Sequence, residues 1–237
     1  MKNKYIFILT ISVLCSLFLS LASQGLKPLK DKNIEIDKKK NILNAVGLDI
    51  TNLSNSDIDN YFSSNIDTLI INLEGIINND LAVSDLVSKE SNQSGEVKYY
   101  NGSAEYLPIY IDKSKDAIVL PISGKGLWST LFGYFAIDSN NYSTVKGITF
   151  YKHKETPGLG GEVSKEWFQK NFIGKEIYKD KVLNSVKVAK AGYADKENLY
   201  EVDGISGATI TSNGVSLFLK RDLERYQNYF MRKINEQ

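Results

Sequence analysis

The stretch DAIVLPISGKGLWSTLFGYFAID, Asp116 to Asp138, sets two runs of β-branched and aromatic residues, DAIVLPI and TLFGYFAI, on either side of a loop with two glycines. Runs of this length and composition, bounded by turn residues, predict strands. The same texture precedes it in YLPIYID, from Tyr106, and follows it in TVKGITFYKH, ending at His153, and in NSVKVAKAG, ending at Gly192. Together they predict a mostly antiparallel sheet. Two helices interrupt the strands. One falls around Gly161 to Lys170. The other is long and terminal, from about Ile210 to Lys233, where Val215, Leu219, Leu223, Tyr226, Phe230 and Ile234 recur every three or four residues. Lys220, Arg221, Glu224, Arg225, Asn228 and Arg232 fill its other face. The class is α+β, with the terminal helix packed on the sheet.

Upstream the texture changes. Asp67 to Ile77 is β-rich, whereas residues 78–103 are polar and rich in Asn and Ser, with no helical or strand period. The N-x-S matches at Asn92 and Asn101 are what chance gives in such a chain. Ser54 to Asn65 reads as a short helix with polar caps, and Asp37 to Leu48 as an amphipathic one ending near Gly47. Tyr5 to Ala22 is an uncharged apolar run about as long as a membrane-crossing helix, preceded by Lys2 and Lys4. It predicts an anchor. A cleaved signal ending at Ser20-Leu21-Ala22 is the competing reading, and Leu14 before Cys15 argues against a lipoprotein. Lys27, Lys30, Lys32 and Lys38 to Lys40 leave the orientation undecided by charge. The expected segments are 1–25, a cytoplasmic N-terminus and transmembrane helix; 26–65, a helical linker region; and 66–237, the folded domain.

Composition removes several function classes. Twenty-nine Lys and Arg against 28 Asp and Glu provide no basic field for nucleic acid. One cysteine and one histidine exclude an internal disulfide and a multi-His or Cys-rich metal site. Neither G-x-S-x-G, G-x-G-x-x-G nor the P-loop lysine is present. No residue stands out as catalytic. His153 reads as a polar strand-end residue and Cys15 as apolar filler.

What remains is three glycine-rich loops, each after a strand: PISGKGLWS (121–129), HKETPGLGGEV (153–163) and DGISGATITSNG (203–214). Each alone reads as a tight turn. Yet Leu127, Trp128 and Leu159 set large apolar side chains beside bare backbone, as a flat aromatic ligand would require. The third loop opens the terminal helix, whose free N–H groups and dipole favour a phosphate among Ser206, Thr209, Thr211 and Ser212.

The run Asp203-Gly204-Ile205-Ser206-Gly207-Ala208-Thr209 resembles the flavinylation motif of FMN-binding domains, whose threonine carries FMN through a phosphoester bond. The resemblance implies Thr209 as the attachment site. The N-terminal run followed by LKPLKDKNIEIDKKKNILNAVGL, ISGKGLWS and HKETPGLGGEV resembles the C subunits of sodium-translocating NADH:quinone oxidoreductases, from anchor to terminal helix. The G subunits of Rnf-type complexes are similar in anchor and motif, but the LKPLKDKNIEIDKKKNIL segment favours the C subunits. This resemblance implies a covalent FMN relaying electrons from an iron centre to a flavin in a neighbouring subunit. NADH oxidation, quinone reduction and sodium export belong to the whole translocase, and no complete turnover belongs to this chain alone. It implies sister subunits and a maturing flavin transferase as partners, a bacterial inner-membrane location and an extracytoplasmic domain.

In that frame Lys125, Gly126, Leu127, Trp128, Thr156, Gly158, Leu159 and Gly160 are the expected flavin pocket, with apolar contacts and backbone amides setting its potential. Ser206, Gly207 and Ala208 join it. Lys125 neutralises the phosphate or is a solvated turn residue, and Thr211 and Ser212 contact phosphate or cap the helix. Asp203 and Ser206 serve transferase recognition or capping, and Glu155 caps or orients its loop. A membrane-anchored module that holds a small anion reversibly is the reading from a different class.

Overall fold

A computed structural model of the chain describes residues 2–236; Met1 and Gln237, the outer ends of the first and last expected segments, lie outside the described residues. The chain divides into two compact units after Lys39. The first consists of helix, and α1 (Lys2–Ala45) includes a stretch long and apolar enough to cross a membrane. Phe7, Leu9, Phe18 and Leu19 are exposed on it. Where the sequence predicts a new helix from Asp37, α1 simply continues, with Pro28 inside it. Proline loses one backbone bond there, but its Leu and Lys neighbours are good helix formers. Gly47, at φ +74°, ends the helix in the left-handed conformation, with its N–H on Asn44 O and that of Leu48 on Leu43 O.

The second unit is built on an antiparallel eight-stranded sheet. A helix, α2 (Asn55–Asn65), leads into it, capped by Ser54 and Asp57 as the sequence predicts. The strands are β1 (Ile66–Asn72), β2 (Ile77–Asn78), β3 (Val87–Glu90), β4 (Val97–Asn101), β5 (Ala104–Asp112), β6 (Ala117–Lys125), β7 (Thr130–Asp138) and β8 (Val145–Lys152). Their order is β2-β1-β5-β6-β7-β8, with β4 also on β5 and β3 on β4. Residues 78–103, expected to lack strands, thus contribute the β3–β4 hairpin. Its side chains are exposed or half-exposed, so no apolar alternation marks it.

After the sheet come α3 (Glu166–Gln169), flanked by 3₁₀ turns, and the two-residue strands β9 (Tyr178–Lys179), β10 (Val182–Leu183), β11 (Lys187–Val188) and β12 (Glu201–Val202). The expected strand NSVKVAKAG shrinks to β11, which pairs in parallel with β12 outside the main sheet. Ser185, at φ +65°, interrupts extended backbone there, and Val188 N–H goes to Ser216 Oγ. The chain ends in α4 (Thr209–Asn235).

Both faces of the sheet are covered. Leu107, Ile109, Ile118, Leu120, Phe135 and Ile137 point to α4 and to Val163, Phe168, Phe172 and Val188. Their neighbours Tyr110, Ala117, Val119, Tyr134 and Ala136 point to Ile42, Leu43, Val46 and Ile58. Residues 40–65 are therefore a packed layer of the domain rather than a linker. Gly147 lets them approach, since a Cβ there would stand 2.4 Å from Ala45 O.

One gap in the sheet explains the polar residues of α4. β5 pairs with β6 only over residues 110–112 and with β4 only over 104–106, on the same edge. Pro108 and Pro121 sit where the strands diverge, where a missing N–H breaks no ladder. Side chains of α4 serve the opened backbone instead. Asp222 accepts from Ser123 N–H at 2.8 Å, Tyr226 donates to Pro108 O at 3.1 Å, Arg225 donates to Val97 O at 3.2 Å, and Arg221 donates to Ser123 O. Burial pushes the Asp222 carboxyl up to about 6 from 3.8, although Arg221 and the Ser123 N–H oppose it. A raised folded pKa means stability that is full below the unfolded value and lost as pH rises through the folded one. That amounts to ~3 kcal/mol between about pH 4 and pH 7. Asp222→Asn keeps an acceptor for Ser123 and removes the titration, so its stability, followed by urea unfolding at stepped pH, is expected to lose that decline. An unchanged pH profile would contradict it.

Candidate functional site

β6 and β7 are joined by the four residues Gly126, Leu127, Trp128 and Ser129, closed by Gly126 N–H on Ser129 O at 2.8 Å. The amides of the last three point inward to one carboxylate. Glu155, 5% exposed, accepts from Leu127 N–H at 3.1 Å, Trp128 N–H at 3.0 Å, Ser129 N–H at 2.9 Å and Ser129 Oγ at 3.2 Å. It accepts a fifth bond from Thr211 Oγ1 at 2.8 Å. Burial alone would raise its pKa, but the bonds from Thr211 and the three amides outweigh burial and hold it below the ordinary carboxylate value. The glycines around it leave room: a Cβ on Gly126 or Gly160 would come within 2.7 Å of its oxygens.

Glu155 therefore joins the three glycine-rich loops, through its own loop, the 126–129 turn and the first turn of α4. Two further contacts close the junction. Gly214 packs α4 onto the end of β6 at Lys125 O, and Gly207, at φ +72°, lies against Leu159.

The first turn of α4 separates its hydroxyls by face. Ser206 and Thr209 are exposed, while Thr211 and Ser212 are buried. Thr211 is committed to Glu155, and Ser212 Oγ accepts Ile205 N–H at 3.3 Å. The phosphate role expected as one option for both is thus taken by protein contacts. Ala208 occupies the N-cap with no side-chain bond, and no acidic residue lies in the first turn. The positive end of the helix is thus met by no side chain of its own first turn, and the nearest carboxylate is that of Glu155 on Thr211.

The three loops also expose large apolar side chains: Leu127 is 47% exposed, Trp128 71%, Leu159 43% and Ile210 59%. Loop amides expected to face the flavin are used internally. Besides the three on Glu155, Leu159 and Gly161 donate to Thr156 O, and Gly158 donates to Glu162 Oε1. The junction can therefore address a flat ligand through side chains, chiefly those four, and through the exposed Thr156 and half-exposed Lys125. Gly158, at φ +75°, shapes the loop carrying Leu159.

Asp203 accepts Gly192 N–H at 2.8 Å and Ala194 N–H at 3.4 Å, and it borders a cavity of about 320 Å³ between Lys175, Gly192 and Glu201. Gly204 lies against Ala189 O, where a Cβ would stand at 2.2 Å. His153 Nδ1 accepts Glu155 N–H at 3.2 Å, and Cys15 is exposed on α1.

The profile of the FMN-binding domain matches residues 126–224, from the β6–β7 turn into α4. The chain is 34% identical over 225 residues to the C subunit of the Na⁺-translocating NADH-quinone reductase of Haemophilus ducreyi, covering 88% of this chain and 84% of that protein. It is 33% identical to the corresponding C subunit of Neisseria meningitidis, covering 89% and 84%. Its fold is similar to the crystal structure of the C subunit from Parabacteroides distasonis, with a TM-score of 0.70, 28% identity, and 86% and 96% of the two chains covered.

Proposed function

The chain belongs to the C-subunit family of the Na⁺-translocating NADH-quinone reductases, and from that membership we propose that it carries FMN covalently on Thr209 as an electron relay within such a complex. The observation that carries the proposal is the exposed Thr209 at the N-terminus of α4, on a junction of three loops that also exposes the apolar side chains Leu127, Trp128, Leu159 and Ile210. The residues fit the group. A phosphate ester on Thr209 meets the positive helix end, where α4 contributes no acidic side chain of its own and the Glu155 carboxylate is already occupied by five donors, and the apolar side chains offer faces to an isoalloxazine ring.

In this reading the bound flavin supplies one-electron chemistry between an iron centre and a flavin of a neighbouring subunit. Thr209 would hold the group through a phosphoester on its Oγ1, formed once during maturation by a flavin transferase from FAD, with AMP as the leaving group and loss of the hydroxyl proton. Thereafter the chain positions the group, and the apolar rim limits water around it. NADH oxidation, quinone reduction and sodium export are work of the assembled complex. The apolar part of α1 anchors the chain in the inner membrane, with the domain outside the cytoplasm.

The experiment is co-expression of the full chain with a flavin transferase, then in-gel flavin fluorescence and intact mass on denatured protein. A fluorescent band and a mass gain of FMN less water are expected. Wild-type protein without flavin, where a known transferase substrate is modified in parallel, would leave the anchored reversible module as the better reading.

A further inference from the structure

Glu155 does more at the junction than close a turn, and this inference rests on the attachment reading above. Thr209 and Thr211 are two residues apart on a helix of 3.6 residues per turn, so they point to nearly opposite sides of α4. Burial agrees, with Thr209 exposed and Thr211 at 1%. Whatever holds Thr211 therefore sets the rotation of the first turn, and so the direction of the Thr209 hydroxyl. In the structure that holder is Glu155. The same carboxylate fixes the amides of Leu127 and Trp128, whose apolar side chains are exposed.

We propose that Glu155 is the positioning residue of the attachment site: through Thr211 it aims Thr209, and through the 126–129 turn it fixes the Leu127–Trp128 rim relative to that hydroxyl. A carboxylate is what the geometry demands. All five partners are donors, and an ionised Glu only accepts, whereas a Gln amide presents its own N–H groups to at least one of them. The glycines complete the argument. Gly126 and Gly160 are bare where a Cβ would strike the carboxylate oxygens, so two glycine loops are shaped around this one group.

The test uses the full chain co-expressed with a flavin transferase and compares wild type, Glu155→Gln, Thr211→Val and Thr211→Ser. It reads the rate of flavin attachment per folded molecule by intact mass and the midpoint potential of the attached flavin. Losing a charged hydrogen bond is expected to slow attachment about tenfold or more in Glu155→Gln and Thr211→Val. Their potentials should shift, and Thr211→Ser should restore both readouts.

A merely structural role would lower the melting temperature while leaving attachment rate and potential at wild-type values, and that result would overturn the proposal. Should Glu155→Gln not fold, the Thr211 pair decides alone, because Val and Thr have nearly the same shape. Flavin on the wild type but no difference between Thr211→Val and Thr211→Ser refutes positioning alone. No flavin on the wild type refutes the attachment reading, and positioning with it.

Discussion

Thr209→Ala is expected to abolish covalent flavin completely while leaving the protein folded. The side chain is exposed on the first turn of α4, so its removal opens no cavity. Alanine is also the better helix former, by about half a kcal/mol, so the melting temperature should hold or rise slightly. Neighbouring hydroxyls cannot substitute. Thr211 and Ser212 are buried and bonded to Glu155 and Ile205, which leaves only Ser206 exposed within the motif. Thr209→Ser, which keeps a hydroxyl at the same place, should still take up flavin, and so should Ser206→Ala if Thr209 is the nucleophile. Fluorescence of denatured protein separates these outcomes without any assay of the complex. A fluorescent Thr209→Ala band that disappears only in Ser206→Ala would move the attachment site by one turn of chain and overturn the assignment.

Much of this architecture was legible, and the parts that were not have physical reasons. β5 to β8 announce themselves by runs of β-branched and aromatic residues between turns, and α4 by apolar residues that bury every three or four positions. The second layer was also announced, by a signal easily missed. AIVLPI in β6 is a continuous apolar run, and a strand apolar on both sides has two faces to cover. The residues that cover the second face, Ile42, Leu43, Val46 and Ile58, lie in what reads locally as a linker.

The division of the hydroxyl cluster was likewise within reach. Counting back three and four residues from Val215 lands on Ser212 and Thr211, which places both on the buried stripe. Asp222 sits in the same stripe, four residues after Phe218 and three after Leu219, where a charge reads as an error until the gap between β5 and β6 is seen. Glu155 had no periodic signal at all. Its surroundings are five donors from two segments distant from it in sequence, the 126–129 turn and the first turn of α4, and only the glycines beside them hint at it. β3 and β4 were invisible because their strand character comes from partners rather than from burial.

Gly214→Ala is expected to destabilise the domain, against the usual sign for such a change. In an exposed helix interior, Gly to Ala gains about 1 kcal/mol. Here the added Cβ would stand 2.1 Å from Lys125 O and 3.6 Å from the Gly126 Cα. A carbonyl oxygen at the end of β6 is backbone held by its neighbours, not a side chain that can swing away. The helix must retreat, and it retreats where Thr211 meets Glu155 and where Gly207 meets Leu159. Overpacking of this kind costs about 1–3 kcal/mol, enough to reverse the propensity gain. The net loss of about 1 kcal/mol corresponds, for a domain of this size, to a melting temperature lower by about 3 °C. The retreat also disturbs the aim of Thr209, so attachment of flavin should slow in the variant that still folds. Asn213→Ala supplies the contrast, since it lies on the exposed side of the same turn and should be neutral or slightly stabilising. If Gly214→Ala melts at or above the wild-type temperature, the close approach of α4 to β6 does not limit this helix. The glycine would then have to be explained by the ligand rather than by the fold.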